Sequence, residues 1–310
     1  MDGIGHTNAQ VGVSVSMGTN RQGGKQGWTP EPTYPKPDIS VRATTLYYEI
    51  VAPLMLPHVQ RRLLNLVRCR QQECFFQRSR AHPPSGRDFT APVRFEPVEQ
   101  KNGRTEDYLY VTDAEGIVAC AKVQAVEFHG WGSRAGIVET PDRMVIDLDP
   151  GQGVDFEQVK DAAAQIHQSF GAIGLQSFAL LTGGKGIHVV VPIEPEAQWA
   201  EVRNFAKAFC MTLVEADPQR FTVALRKEQR RGRIFLDYLR NQRAATAVLP
   251  YSARARDGAP VATPVGWTEL RSVSGPDAFS TADAAELLRR AKCRSLASWG
   301  AAEQRLPRFR

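Results

Sequence analysis

The pattern of apolar positions changes character along the chain, and each change predicts a different kind of element. From Thr44 to about Val67, the residues Leu46, Tyr47, Ile50, Val51, Leu54 and Leu63 to Leu66 recur mostly at helical spacing, interrupted near Pro53 and Pro57. That spacing predicts one or two packed helices. Between Leu66 and Phe128 the apolar residues fall into short β-rich pieces, Glu73-Cys-Phe-Phe-Gln77, Tyr108-Leu-Tyr-Val111 and Val123-Gln-Ala-Val126, separated by Pro, Gly and Asp clusters. They predict a first sheet. A second β-rich series follows in Arg143 to Asp149, Ser177 to Leu181, Ile187 to Val191 and Arg233 to Tyr238. Helices are predicted within it from Phe156 to about Phe170, where Val159, Ala163, Ile166 and Phe170 share a face, and from about Gln198 to Glu215. A last helix is predicted from Thr281 to about Leu296. Strands and helices mix without strict βαβ alternation, which indicates an α+β fold with mixed or antiparallel sheets.

Residues 1–37 are rich in Gly, Asn, Gln, Thr and Pro without sustained apolar periodicity, and read as a flexible extension. Residues 38–300 read as the folded domain, built of two interlocked lobes, and 301–310 as a loose tail. With 42% hydrophobic and 8% aromatic residues the composition is that of a globular protein, which excludes fibrous and wholly disordered classes. A formal charge of +6 favours a polyanionic partner. The five cysteines, at 69, 74, 120, 210 and 293, form no C-x-x-C pair. They are expected to be reduced thiols, with neither a disulfide framework nor zinc. No apolar run is long enough for a membrane span and the N-terminus lacks the apolar core of a signal peptide, so a cytoplasmic location is expected.

The chemistry-bearing residues cluster in the second β-rich series. Asp147 and Asp149 alternate with Ile146 and Leu148, so period-two geometry sends both carboxylates to one face of the strand. Paired carboxylates repel unless a cation lies between them, and hard divalent ions such as Mg²⁺ or Mn²⁺ prefer such oxygen ligands. A strand-end turn is the plain alternative. Asp237 lies within the apolar run Ile234-Phe-Leu-Asp-Tyr238, where a lone charge is costly; a metal, or an ion pair with Arg230, Arg231 or Arg233, would satisfy it. Three such carboxylates are what a two-metal phosphoryl-transfer site requires.

Leu181-Thr-Gly-Gly-Lys-Gly-Ile-His188 sets small residues between two apolar strands, so backbone amides can approach phosphates, with Thr182, Lys185 and His188 as side-chain donors. The P-loop spacing is not met, because Gly186 and a strand follow Lys185. Arg254 and Arg256 fall on one side of an extended segment, as phosphate contact demands. Phe75 and Phe76 are adjacent in a strand, so one faces inward and the other is free to stack on a nucleobase. The run Arg226-Lys-Glu-Gln-Arg-Arg-Gly-Arg233 is a candidate phosphate-binding turn.

Taken in order, Asp142-Arg-Met-Val-Ile-Asp-Leu-Asp-Pro-Gly151, Thr182-Gly-Gly-Lys-Gly-Ile-His188, Phe235-Leu-Asp-Tyr-Leu-Arg-Asn241 and Thr246-Ala-Val-Leu-Pro-Tyr-Ser-Ala-Arg-Ala-Arg256 resemble the successive motifs of the polymerase domain of bacterial ligase D. Tyr47-Tyr48, Phe75-Phe-Gln77 and Glu127-Phe-His-Gly-Trp131 extend the resemblance from about Ile39 to Leu296. It implies the archaeo-eukaryotic primase fold, an RRM-like sheet carrying the acidic triad packed with a second β-rich module. It also implies DNA-templated addition to a primer 3′-hydroxyl at gaps or double-strand breaks in non-homologous end joining, with a preference for ribonucleotides and Mn²⁺. By the same resemblance, Asp147, Asp149 and Asp237 are catalytic and bind two metal ions. His129, Thr182, Lys185, His188, Arg254 and Arg256 hold the NTP or dNTP, and Phe75 or Phe76 stacks on the template.

The chain departs from that family in carrying Thr182 where Ser is usual. It also replaces the Thr-Lys before the paired tyrosines with Ser40-Val-Arg-Ala-Thr-Thr45, leaving Arg42 as the candidate for the lysine that binds a downstream 5′-phosphate. No K-x-D-G ligase motif occurs, so ligation is expected to need a separate ATP-dependent DNA ligase, with Ku as a further partner. The rival readings are a catalytically silent DNA-end synapsis module and a sugar-nucleotide transferase built on Asp147 and Asp149.

Overall fold

The computed structural model describes residues 40–70, 73–79, 89, 92–100 and 102–307; the expected N-terminal extension lies outside them. Helix α1 (Val41–Val59) opens on Ser40, whose hydroxyl accepts the Ala43 amide. It runs unbroken through Pro53 and Pro57, because Tyr47, Tyr48, Val51, Ala52, Met55 and Val59 form a buried face whose packing outweighs the missing amide donors. Strand β1 (Arg62–Arg70) follows, so the Leu63 to Leu66 stretch is a strand and not the end of a helix. Both its faces are covered: Leu63 packs with Val98, Tyr108 and Trp131, while Leu64 and Leu66 pack beneath α1. A strand buried on both sides shows no alternation to read.

β2 (Glu73–Gln77), β3 (Arg94–Glu99) and β4 (Thr105–Tyr110) come next, then α2 (Ala114–Lys122), capped by Asp113, and β5 (Ala125–Arg134). The second series is β6 (Arg143–Pro150), α3 (Phe156–Ala172), β7 (Phe178–Leu181), β8 (Ile187–Pro192), α4 (Trp199–Ala216), β9 (Phe221–Thr222) and β10 (Ile234–Asp237). β11 (Ala247–Val248), β12 (Thr263–Val265), α5 (Trp267–Leu270) and α6 (Ala284–Ala291) complete the chain.

One sheet has the order β11-β5-β1-β4-β3, with β2 paired to β1, and the other β12-β7-β8-β6-β10-β9. Every pairing is antiparallel except β9 with β10, which bears out the α+β expectation. Alternation along β6 explains how the second sheet is covered. Met144, Ile146 and Leu148 face the core under α3 and α4, and Val145 faces Leu180, Val190, Val248 and Trp299 on the other side. Asp147 and Asp149 continue that other face.

The structure corrects a further reading of the sequence, that the cysteines are all reduced thiols. Cys69 and Cys74 form a disulfide, since antiparallel pairing of β1 with β2 sets them directly opposite, Cα to Cα 4.0 Å; Cys120, Cys210 and Cys293 are free. Within the described residues 301–307, Gln304 bonds to Gln176, Pro192 and Glu194, and Arg305 pairs with Glu194 and Glu196.

Candidate active site

Cross-strand register builds the acidic site. On β6, Asp147 is the direct partner of His188 on β8 and of Asp237 on β10, so three neighbouring strands carry these side chains in one row. Asp149 stands two residues further along β6, on the same face. Arg240, in the 3₁₀ turn Leu239–Asn241, donates from Nε to Asp147 Oδ2 at 3.0 Å and lies 3.2 Å from Asp237 Oδ2. His188 Nε2 is 3.4 Å from Asp147 Oδ1, and its buried Nδ1 has no partner among the described residues. Arg240 is held in place by its neighbour: the buried Asn241 amide bonds to both the N–H and the carbonyl of Val145, pinning the turn to β6.

The charges in this row are unevenly compensated. Burial alone would raise the Asp147 pKa, but His188 and Arg240 together outweigh it and hold the carboxyl well below its ordinary range. Asp149 is pushed up to about 6 by burial and by the Asp147 charge. Asp237 is raised by burial first, with Arg240 opposing and Asp147 adding to the shift. Negative charge is therefore in excess, and the donors are hard carboxylate oxygens, which suits a divalent cation. Among the described residues no three acidic, His or Cys side chains are yet gathered as a metal-holding group; Arg240 is the cation that bridges Asp147 and Asp237.

The row opens into a cavity of about 220 Å³ lined by Asp147, Asp149, His188, Thr182, Gly184, Lys185, Arg240, Arg254 and Arg256, with His129, Ala247 and Val248 of the first sheet on the far wall. The glycine turn forms one side, and at two of its positions only glycine fits. Gly183 has φ +62°, and a Cβ there would meet Arg254 Cγ at 2.8 Å; a Cβ on Gly186 would lie 2.1 Å from the Leu148 carbonyl oxygen. The Thr182 hydroxyl donates to the Gly186 carbonyl, closing the turn rather than pointing a hydrogen into the cavity. Arg254 donates to the Thr182 carbonyl and, from Nε, to Glu127 Oε2 at 3.1 Å; His129 Nε2 meets the same oxygen at 2.6 Å.

A second cavity, about 420 Å³, lies on the other side of Arg240, lined by Asp237, Asn65, Phe76, Arg78, Tyr108 and Gln242 among others. Phe76 is exposed there and its ring centroid is 5.9 Å from that of His129, whereas Phe75 turns to the opposite side beneath the Arg68 guanidinium. Arg42 stands exposed in the first turn of α1 and lines neither cavity. Two of the three arginines considered as partners for Asp237 are engaged elsewhere: Arg230 stacks on Phe235 and bonds to the Ala224 and Leu225 carbonyls, and Arg233 bonds to the Pro218 and Gln229 carbonyls. Arg240 and Glu127 are the site residues that sequence reasoning missed. The signal for the first was the spacing Asp237-x-x-Arg240, and for the second the spacing Glu127-x-His129, which puts both side chains on one strand face.

Two antiparallel sheets that meet along such a cleft, with acidic strands on one wall and a glycine turn beside them, have the layout of a primase-type polymerase domain, a DNA-directed nucleotidyltransferase. The chain belongs to the family described as LigD, primase-polymerase domain, which it matches over residues 42–294. A solved structure of the polymerase domain from Mycobacterium tuberculosis ligase D in complex with DNA superposes with a TM-score of 0.71 at 26% identity, covering 86% of this chain and 95% of that one. The multifunctional non-homologous end joining protein LigD of Pseudomonas aeruginosa is 38% identical over 172 residues, 56% of this chain and 20% of that protein. Its counterpart in Mycolicibacterium smegmatis is 30% identical over 231 residues, 72% of this chain and 29% of that protein. The chain thus spans between a fifth and a third of the length of these relatives.

Proposed function

We propose that the chain adds nucleotides, under the direction of a DNA template, to a primer 3′-hydroxyl at gaps or broken DNA ends. The observation that carries this reading is the position of the carboxylates at the boundary of two cavities. Asp147 and Asp149 line the basic one and Asp237 lines the one that contains Phe76, with Arg240 in the shared wall. A triphosphate in the first and a primer terminus in the second would meet at the acidic row, the in-line arrangement that phosphoryl transfer requires.

In this reading Asp147, Asp149 and Asp237 hold two Mg²⁺ or Mn²⁺ ions, which, when bound, activate the attacking hydroxyl and neutralise the leaving pyrophosphate. Lys185, His188, Arg254 and Arg256 bind the triphosphate; the exposed Lys185 is a donor that the protein leaves uncommitted, and the His188 Nδ1 has no partner among the described residues. Thr182 shapes the turn through its internal hydrogen bond, and His129 faces the nucleotide from the opposite sheet. Phe76, rather than Phe75, stacks on the template base. Arg42, at the start of α1, is assigned to a downstream 5′-phosphate. The relatives' names place them in non-homologous end joining, and we assign this chain to the same process, with Ku and a separate ATP-dependent DNA ligase as partners.

The test is extension of a labelled primer on a gapped duplex, with ribo- and deoxyribonucleotides, Mn²⁺ and Mg²⁺ in turn, and a downstream 5′-phosphate or 5′-hydroxyl. Templated addition that disappears in Asp147→Ala is expected. A folded protein that retards the DNA but incorporates nothing under any of these conditions would overturn the reading and leave an end-binding module.

A further inference from the structure

Glu127 is 1% exposed and absent from the cavity lining, yet it touches the cavity through two of the residues that line it. Its Oε2 accepts His129 Nε2 at 2.6 Å and Arg254 Nε at 3.1 Å, and its Oε1 accepts the Ala255 amide at 2.8 Å. One carboxylate therefore fixes a side chain on β5, a side chain on the 250–256 segment, and the backbone midway between Arg254 and Arg256. Alternation along β5 makes this possible, because Glu127 and His129 leave the strand on the same face.

From this geometry we infer that Glu127 is a positioning residue that presents His129 and Arg254 to the incoming nucleotide, Arg254 to its phosphates. The inference rests on the nucleotide site proposed above. Because the ionised Glu127 accepts from His129 Nε2, the proton of the neutral ring is fixed there and Nδ1 is left as an acceptor, suited to a hydroxyl or amino group of the nucleotide rather than to a phosphate oxygen. Because Arg254 Nε is held by Glu127 and Nη1 by the Thr182 carbonyl, the guanidinium plane is locked from two sides. Its remaining Nη2 edge is then set before any ligand arrives, which lowers the ordering cost of binding. The Glu127 carboxyl is held down at about 2: burial opposes ionisation, but the His129 hydrogen bond and the Arg254 charge outweigh it, so the anchor keeps its charge across the working range.

A residue that pre-orients phosphate ligands sets nucleotide affinity more than the rate of the chemical step. The experiment compares wild type with Glu127→Gln, alone and in a His129→Ala/Arg254→Ala background. It measures direct binding of a fluorescent ribonucleoside triphosphate, KM and kcat in primer extension, and retention of a gapped duplex. Glu127→Gln is expected to weaken triphosphate binding and raise KM by about tenfold or more, the worth of a charge-assisted hydrogen bond. It should change kcat far less and leave DNA retention unaltered. In the double-alanine background the same substitution should have no further effect on binding, because it acts through the two deleted side chains.

Wild-type affinity in folded Glu127→Gln, or an equal loss in the double-alanine background, would overturn the inference and leave Glu127 as a strut between β5 and the 250–256 segment. Should Glu127→Gln fail to fold, Glu127→Asp keeps the charge but shortens its reach. Weakened triphosphate binding is expected of it, and wild-type binding would overturn the inference. Direct binding keeps the two readings separable: a chain that binds triphosphate in a Glu127-dependent way yet never extends a primer contradicts the polymerase assignment and not this one.

Discussion

Two clusters of buried charge, five residues apart on the same stretch of chain, have opposite stoichiometry. At Asp142, one carboxylate meets Arg62 through paired bonds of 2.8 Å, Arg134 at 2.6 Å and Arg143 at 3.7 Å. At Asp147, Asp149 and Asp237, three carboxylates share one arginine, Arg240, and one histidine. The first cluster is closed around its carboxylate: burial opposes the Asp142 charge, but Arg62 and Arg143 hold its pKa well down, and the arginines in excess donate to the His58, Trp131 and Gln60 carbonyls. The second is open, with Asp149 and Asp237 raised by burial and mutual repulsion. Chemistry is to be sought where carboxylates are left short of partners, and stability where the carboxylate is fully enclosed by them.

The comparison can be broken first at the open cluster. Asp147→Ala or Asp149→Ala should lower templated addition by at least about a hundredfold in primer extension; the melting temperature should hold or rise in Asp149→Ala, whose charge burial and repulsion disfavour, and fall modestly in Asp147→Ala, which leaves Arg240 and His188 without their carboxylate. A fall in stability large enough to explain the lost activity would show that the carboxylates serve the fold. At the closed cluster the expectation is reversed. Asp142→Asn leaves Arg62 and Arg143 facing one another without their carboxylate and should cost about 3–5 kcal/mol in denaturant unfolding, with specific activity of the folded fraction little changed.

A third, smaller effect depends on pH. Because the folded pKa of Asp149 is raised to about 6, its ionisation opposes folding, so the penalty is absent at low pH, grows as pH rises from about 4 to about 6, and is fully present above. Asp149→Asn should therefore stabilise the metal-free protein by about 1–3 kcal/mol at pH 7.5 and by nothing at pH 4. A gain that persists undiminished at pH 4 would assign the effect to packing. Smallest of all is Arg134→Gln, which removes the half-exposed limb of the closed cluster while Arg62 keeps both bonds to Asp142; unfolding should shift by no more than about 1 kcal/mol.

What was legible in the sequence followed from local geometry. Asp147, Asp149, Asp237 and the glycine turn declared themselves because strand alternation and turn composition act within a few residues. Arg240 was hidden because the short turn that carries it is placed by Asn241 gripping Val145, 96 positions away in sequence. β1 was misread as helix because burial on both faces erased its period, and α1 ran through two prolines that sequence rules treat as breaks. The Cys69–Cys74 bond was missed because hairpin register, which no cysteine motif encodes, brings the two together. In each case the missing information was a tertiary partner.

The glycine turn has a consequence for anyone who would redesign the pocket. Gly186 abuts the backbone of β6 midway between the two aspartates, so no repacking of neighbours can admit a side chain there. Gly184 is different: its nearest atoms are the Thr182 hydroxyl at 3.3 Å and guanidinium nitrogens of Arg256 at 3.5 Å and Arg254 at 3.6 Å, the last two in ordinary contact. The scaffold thus offers an editable site in the middle of the turn and a forbidden one two residues on, and a library meant to alter which nucleotide is taken should be randomised at 184 and kept fixed at 186.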